Sequence, residues 1–255
     1  MKNTGIKRII LAVGVLCLLL IAGYFIRQNS HVRFKDENMG IVICNTIGHG
    51  VTPENVRYKD LKKVDYLSIG CVGWYTTLLD IKKCTNIEDL TINGYIHEFQ
   101  PAYEVTQNEY GRKLTEADSV RIEEELKAVV PKLRKLREFS YSIYSENSDI
   151  KSWDFLELCP SLVAVYIWNS DVTDYSFLNA FKGMKFISLW GCKVESADAL
   201  INLQAPERLC VYDTPLVEKE EEIQKLCEAL PNTEILISGD RIENDRDWDW
   251  SWSYE

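Results

Sequence analysis

Histidine is scarce. Only His31, His49 and His97 occur in 255 residues, far apart and with no partner spacing, so the usual basis for a metal centre or for acid–base catalysis is missing. No C-x-x-C pair is present, which leaves a zinc site little support. The glycines build no phosphate cradle. Gly48-His49-Gly50 lacks the later glycine and the Lys-Ser/Thr ending, and it reads as a turn. No Ser, Cys or Asp stands in a nucleophile motif. Positive charge is also short, with 29 Lys and Arg against 39 Asp and Glu and a net charge of −10. The first 26 residues hold three bases and no acid, so the rest carries 26 bases against 39 acids, net −13. Such a surface repels phosphate backbones, which argues against nucleic acid as a partner and disfavours docking on anionic lipid beyond any anchor. These absences point away from an enzyme and from any cofactor. Apolar content of 46% is that of an ordinary globular chain and argues against disorder.

What is present begins with an apolar run. Ile9 to Ile26 carries no charge over 18 positions, follows Lys7 and Arg8, and precedes Arg27. A helix of that length spans roughly 27 Å, close to a bilayer core. A cleaved signal peptide is the competing reading, its best cut falling near Ala22-Gly23. The apolar run continues past that cut through Tyr24, Phe25 and Ile26, which favours an uncleaved anchor. Cys17 follows Val15-Leu16 rather than the small residues of a lipoprotein site. The basic start, residues 1–8, is expected to stay inside and the remainder to be exported, although Arg33 and Lys35 after the span blur that asymmetry. Eight cysteines in an exported chain could mean disulfides. Cys17 lies in the anchor, so seven remain and at least one is unpaired.

The second positive feature is a repeat. Cys159, Leu162, Val165, Ile167, Ser170 and Val172 recur 22 residues later as Phe181, Met184, Ile187, Leu189, Cys192 and Val194. They recur after 22 more as Leu203, Pro206, Leu209, Val211, Thr214 and Leu216. The template is L-x-x-L-x-x-L-x-L-x-x-N-x-L. Looser copies stand at Leu61-Val64-Leu67-Ile69, Cys84-Ile87-Leu90-Ile92 and Leu133-Leu136-Phe139-Tyr141, and a last strand is expected at Ile235 and Ile237. In an L-x-L pair alternate side chains point inward. Stacked coils then form a parallel sheet, and no coil buries its apolar face alone. The predicted fold is therefore α/β: a right-handed solenoid with parallel strands on the concave side and turns and helices on the convex side, carried on one N-terminal transmembrane helix.

Residues 51–237 resemble bacterial leucine-rich repeats of the internalin type. "VTPENVRYKDLKKVDYLSIG" is similar to the opening of such an array and "VTDYSFLNAFKGMKFISLWGC" to its interior. The resemblance covers about three quarters of the chain. It implies that the Asn column bonds the loop backbone. Here that column holds Tyr95, Tyr144, Ser170, Cys192 and Thr214, so the ladder is expected to be looser.

The organisation then reads as a basic start at 1–8, an anchor at 9–26, a linker and N-terminal cap at 27–50, repeats at 51–238, and an acidic, Trp-rich tail at 239–255. Within the cap, "GIVIC" in Asn38 to Asn45 predicts a strand over the open first coil. An insertion, 96–132, interrupts the repeats. Its second half predicts a helix capped by Thr115, with Asp118 three residues on, Pro131 as its stop, and Ala117, Val120, Leu126, Val129 and Val130 as its apolar face. A second helix is predicted before Leu230, burying Ile223, Leu226 and Cys227 behind an acidic start at Glu220 to Glu222. Cys84 and Cys159 share a core column two coils apart, about 9.6 Å by strand spacing and too far for a bridge; Cys192 fills the Asn column; small buried thiols are the expectation.

In the tail, Asp245, Asp247 and Asp249 have calcium-loop spacing, but Trp250 stands where glycine is required. Alternation there places Trp248, Trp250, Trp252 and Tyr254 on one face, either as a closing strand over the last coil or as an exposed aromatic strip.

The candidate binding surface lies on the outward strand positions. The last outward column reads Gly70, Asn93, Ser142, Trp168, Trp190, Tyr212, with Tyr166 and Phe186 expected beside the three aromatics. Such rings either stabilise the sheet as cross-strand pairs or anchor a ligand. Concave solenoid faces are where such arrays bind, so a protein partner is expected, with a glycan on an aromatic platform or a scaffold role in an envelope complex as alternatives.

Overall fold

The computed structural model describes residues 2–92, 114–143 and 150–237. The 22-residue spacing becomes strand register. Seven strands form one sheet in chain order, every neighbouring pair parallel. They are β1 (Tyr66–Ile69), β2 (Asp89–Ile92), β3 (Glu138–Ser142), β4 (Ala164–Trp168), β5 (Phe186–Ser188), β6 (Arg208–Cys210) and β7 (Glu234–Leu236). Leu67, Leu90, Phe139, Val165, Ile187, Leu209 and Ile235 align as Cα partners, which is the column expected from the template. All but Ile235 are buried, each worth about 1.5–3 kcal/mol. Because β2 pairs directly with β3, the insertion leaves the stack of coils unbroken.

Outside the strands each coil turns through a short 3₁₀ segment, and the 22-residue period holds there too. Trp153, Tyr175 and Ala197 occupy one buried outer position, and Phe155, Phe177 and Ala199 the next but one. Trp153 is fully buried, its ring 5.2 Å from Tyr141 and 6.1 Å from Phe139 between centroids, and its indole N–H donates to Ser170 Oγ at 3.3 Å. Where the third copy shrinks to Ala197, the helix α4 (Glu220–Ala229) reaches in. Its Glu222 carboxylate accepts from Ala197 N at 2.7 Å and from Ser196 Oγ at 3.0 Å, and those bonds hold its pKa below the usual glutamate range.

Four helices accompany the sheet among the described residues. The first, α1 (Lys2–Asn29), contains an apolar stretch, Leu11–Asn29, long enough to cross a membrane; a signal sequence passes the same test. "GIVIC" is not a strand. It lies in α2 (Glu37–Ile47), which covers the first coil as a helix. The deciding contacts come from far along the chain. Asp36 Oδ1 caps Met39 N at 2.8 Å, while its other oxygen accepts from Thr76 N and Oγ1 at 2.6 and 2.7 Å. Asp80, fully buried, accepts from Lys35 N at 2.6 Å and Asp36 N at 2.9 Å and pairs with Lys83 at 2.5 Å. An N-cap so tightly held overrides the β-branched residues that suggested a strand.

The insertion's helix is α3 (Glu116–Val129), and Thr115 and Asp118 form the expected capping box. Its buried face keeps Leu126, Val129 and Val130 of the expected five residues and adds Ile122. Ile122, Leu126 and Val129 point inward, whereas Ala117 and Val120 are exposed. Spacing of three and four residues back from Val129 gives Leu126, Ile122 and Asp118, which closes the cap, and leaves Ala117 and Val120 off that face. Glu125 then ties α3 to the second coil through Thr77 Oγ1 and Leu78 N, both at 2.7 Å. In α4, Leu226 is buried and Ile223 half-buried, with Leu230 buried at its C-cap, but Cys227 is exposed.

The eight cysteines are free thiols; Cys44, Cys84, Cys159, Cys192 and Cys210 are buried. Burial pushes Cys84 up to about 12 and Cys159 and Cys192 to about 11, so these thiols stay protonated at neutral pH and pack as small apolar groups. Asn93, Tyr95, the insertion's first half, Tyr144 and the Trp-rich tail lie outside the described residues.

Candidate aromatic binding face

Side chains pointing away from the core stand in three columns on the open face of the sheet. The first runs Tyr66, Asp89, Glu138, Ala164, Phe186, Arg208, Glu234 and the second Ser68, Thr91, Ser140, Tyr166, Ser188, Cys210, Leu236. Ser142 and Trp168 are Cα partners in the third, which Trp190 and Tyr212 continue.

The third column is an aromatic ladder. The Trp168 and Trp190 ring centroids are 5.6 Å apart at 62°, and those of Trp190 and Tyr212 are 5.4 Å apart at 52°. All three rings are half-buried. Their spacing is set by main-chain bonds that carry the ladder past the regular strands. Ile143 N donates to Trp168 O at 3.0 Å, Asn169 N to Trp190 O at 2.8 Å, and Gly191 N to Tyr212 O at 3.0 Å. The Trp168 indole N–H donates to Ser188 Oγ at 3.0 Å, which fixes that ring's tilt.

Immediately after each aromatic the chain enters the left-handed region. Asn169 has φ 59°, Gly191 φ 65° and Asp213 φ 57°. Glycine takes this conformation without cost and Asn and Asp tolerate it, so three residue types suited to it recur at 22-residue intervals. This turn swings the chain away from the sheet and leaves the ring beside its neighbour. Spacing could have revealed it, since Asn169, Gly191 and Asp213 stand one place before the positions read as the Asn column. That column is not loose where described. Ser170 Oγ accepts from Val172 N at 3.3 Å, Cys192 Sγ donates to Ile167 O at 3.1 Å, and Thr214 Oγ1 donates to Val211 O at 2.7 Å.

The two other expected residues sit elsewhere on the face. Tyr166 is in the second column, only 7% exposed, within the field of Asp89, Glu138 and Arg208. Burial first, then the Glu138 and Asp89 charges, raise its phenol, with Arg208 opposing. Phe186 is in the first column, four residues from Trp190 along the chain and roughly 13 Å at strand rise, so it does not flank the ladder. Two acids read from the sequence as outward groups of the first coils form a pair. Asp89 and Glu138 are Cα partners on β2 and β3, and burial, followed by the Glu138 charge, pushes Asp89 up to about 7, against a bond from Thr91. Among the described residues, no three His, Cys, Asp or Glu side chains converge as a metal would require.

One sheet of parallel coils in register, an inward L-x-L column and a repeating turn after each strand together decide the architecture. The chain folds as a leucine-rich-repeat solenoid. Among solved structures it is similar to internalin C2 of Listeria monocytogenes, at 17% identity over 79% of this chain and 83% of that one, with a TM-score of 0.46. It is also similar to the internalin InlF of the same organism, at 16% identity and a TM-score of 0.49, over 80% of this chain and 56% of that one. A leucine-rich-repeat protein of Leptospira interrogans matches at 10% identity over 69% of this chain and 62% of that one, with a TM-score of 0.29. No family model and no curated protein matches the sequence.

Proposed function

We propose that this leucine-rich-repeat chain is a membrane-anchored, extracytoplasmic recognition protein that grips a protein partner with the Trp168–Trp190–Tyr212 ladder. The observation that carries the reading is the ladder itself: three large rings in consecutive coils, held in register yet half open to solvent. Trp and Tyr are favoured interface anchors, and each strand adds only two or three outward side chains, so a partner must span several coils. Asp171 paired with Lys193 at 2.8 Å supplies a polar rim beside the rings. Tyr166 and Phe186 complete the face as a buried prop and a separate contact.

The ring geometry favours protein over glycan. A sugar stacks on a flat ring face, whereas here the rings meet at 62° and 52°, edge-on and tilted, and form no flat platform. Anchorage is supported by the apolar length of α1, and export by Lys2, Lys7 and Arg8 before it, with Arg27, Arg33 and Lys35 after the span counting the other way.

The test places a photo-crosslinking residue at the exposed Asp171 in the full-length protein on intact cells. A discrete protein adduct that disappears in the Trp190→Ala background is the expected result. Adducts unchanged by Trp190→Ala, or none on cells where the protein is intact, would overturn the reading. Protease added to the same cells should remove residues after Arg27; survival of the repeats until lysis would reverse the topology.

A further inference from the structure

We infer that the membrane-proximal end of the solenoid is a basic collar seated on the anionic phospholipid headgroups of the bilayer that α1 enters. Residues 27–63 hold seven bases against four acids, net +3, while residues 64–255 hold 19 bases against 35 acids, net −16. The overall acidity therefore hides a segregation: the stretch that joins the anchor is net positive, while the chain beyond it is strongly negative in sum. Two of its acids are engaged within the cap, Asp36 with Met39 and Thr76, and Asp60 with Arg57 N at 3.0 Å and with the Lys63 ammonium at 3.7 Å, and both stay in the net count.

The collar is fixed to the helix. Lys62 Nζ donates to the Tyr24 hydroxyl at 2.7 Å and lies 5.3 Å from that ring's centroid, beside the last turns of α1. Arg27 sits over the Tyr58 ring at 5.5 Å. Lys59 N donates to Gln28 O at 3.0 Å, Tyr58 N to Ser30 O at 3.2 Å, and Val32 N to Val56 O at 3.0 Å, around an antiparallel bridge between His31 and Arg57. No slack linker intervenes, so the depth of α1 sets the height of the first coil. A helix whose apolar run ends near Ile26 places Tyr24 and Phe25 at the interface, where aromatic residues concentrate, and puts Arg27, Lys59, Lys62 and Lys63 at headgroup level. Basic groups there attract anionic lipid within a screening length of about 10 Å at 0.1 M salt. The strongly negative coils beyond are repelled from the same surface, so both ends of the charge gradient act to hold the solenoid off the membrane by its cap.

The inference rests on α1 as a membrane span and not on which side the repeats occupy. The full chain is incorporated into nanodiscs of phosphatidylcholine alone or of phosphatidylcholine with phosphatidylglycerol, and lysine acetylation is followed by mass spectrometry. Lys59, Lys62 and Lys63 should react about fivefold more slowly in the anionic discs. The difference should vanish in about 1 M salt, where screening shortens to about 3 Å. Lys182, in the turn before β5 and four coils away, should react alike in both. Equal rates at the collar lysines in an incorporated chain would overturn the inference and leave the anchor standing. A chain that fails to enter discs of either kind would overturn both, without touching the aromatic ladder.

Discussion

Gly191 lies so close to Asn169 that a Cβ built on the glycine falls 2.2 Å from the asparagine Oδ1. Both residues are in the left-handed turn that follows the ladder aromatics of successive coils. Gly191→Ala therefore meets two penalties: the αL conformation, about 1 kcal/mol or more for a residue with a Cβ, and a clash with a neighbouring side chain. Asn169 is exposed, so its side chain can swing aside or be removed. Urea unfolding should show Gly191→Ala destabilised by about 1–3 kcal/mol. Asn169→Gly in the same chain should recover the clash component but not the rest. Strict additivity of the two changes would mean that the contact carries no energy.

A second expectation concerns the cap. Asp80 is fully buried and holds Lys35 N, Asp36 N and the Lys83 ammonium. Asp80→Ala strands two backbone donors and a half-buried cation, a loss of about 3 kcal/mol or more. Asp80→Asn keeps an acceptor for the amides and loses only the ion pair, so it should cost less. Equal melting of both variants with the parent would show that α2 stands without this joint.

The inward columns were legible because their period is set by one requirement repeated in every coil: Val165, Ile187 and Leu209 must stack, and any slip of one residue would expose them. The ladder followed from the same alternation. What escaped was decided by contacts outside the repeat. "GIVIC" became a helix because Asp80, more than thirty residues on, fixes its N-cap. The start of the α3 face was misread because its inward position there is held by the polar Asp118 of the capping box, so Ala117 and Val120 were taken instead. Trp153 was overlooked because the template described strands, and the outer turns obey the same 22-residue period in a column of their own. Tyr166 was placed on the right face, but its burial there is not reported by spacing.

The acidic pair predicts pH dependence. Asp89 is raised to about 7 in the fold by burial and then by Glu138, whereas an unfolded aspartate titrates near 3.9. The unfolded chain then releases this proton more readily than the fold, so the contribution to stability is greatest below the unfolded value and is lost as pH rises through about 7. The parent should melt at a higher temperature at pH 5 than at pH 8 by more than Asp89→Asn does. If the two proteins keep a constant difference across that range, Asp89 does not titrate there.

The last expectation separates binding from packing at the ladder. Trp190 stands at its centre, with Trp168 and Tyr212 at 5.6 and 5.4 Å, while Leu189, the preceding residue, is fully buried on the opposite side of the backbone. Leu189→Ala should destabilise by about 2–5 kcal/mol, because the coils above and below cannot collapse into the space. Trp190→Ala removes two ring contacts from a half-open surface, each worth about 0.5–1.5 kcal/mol, so its melting temperature should fall less. Central anchors of an interface typically cost at least about 2 kcal/mol, roughly thirtyfold in affinity, when truncated. Trp190→Ala should thus lose most partner capture while remaining folded, and Leu189→Ala should lose fold and capture together. If Trp190→Ala melts as early as Leu189→Ala and the fraction still folded captures the partner normally, the rings are structural. Their cover would then be sought in the tail, and deleting residues Asp247 to Glu255 should lower the melting temperature by a similar amount.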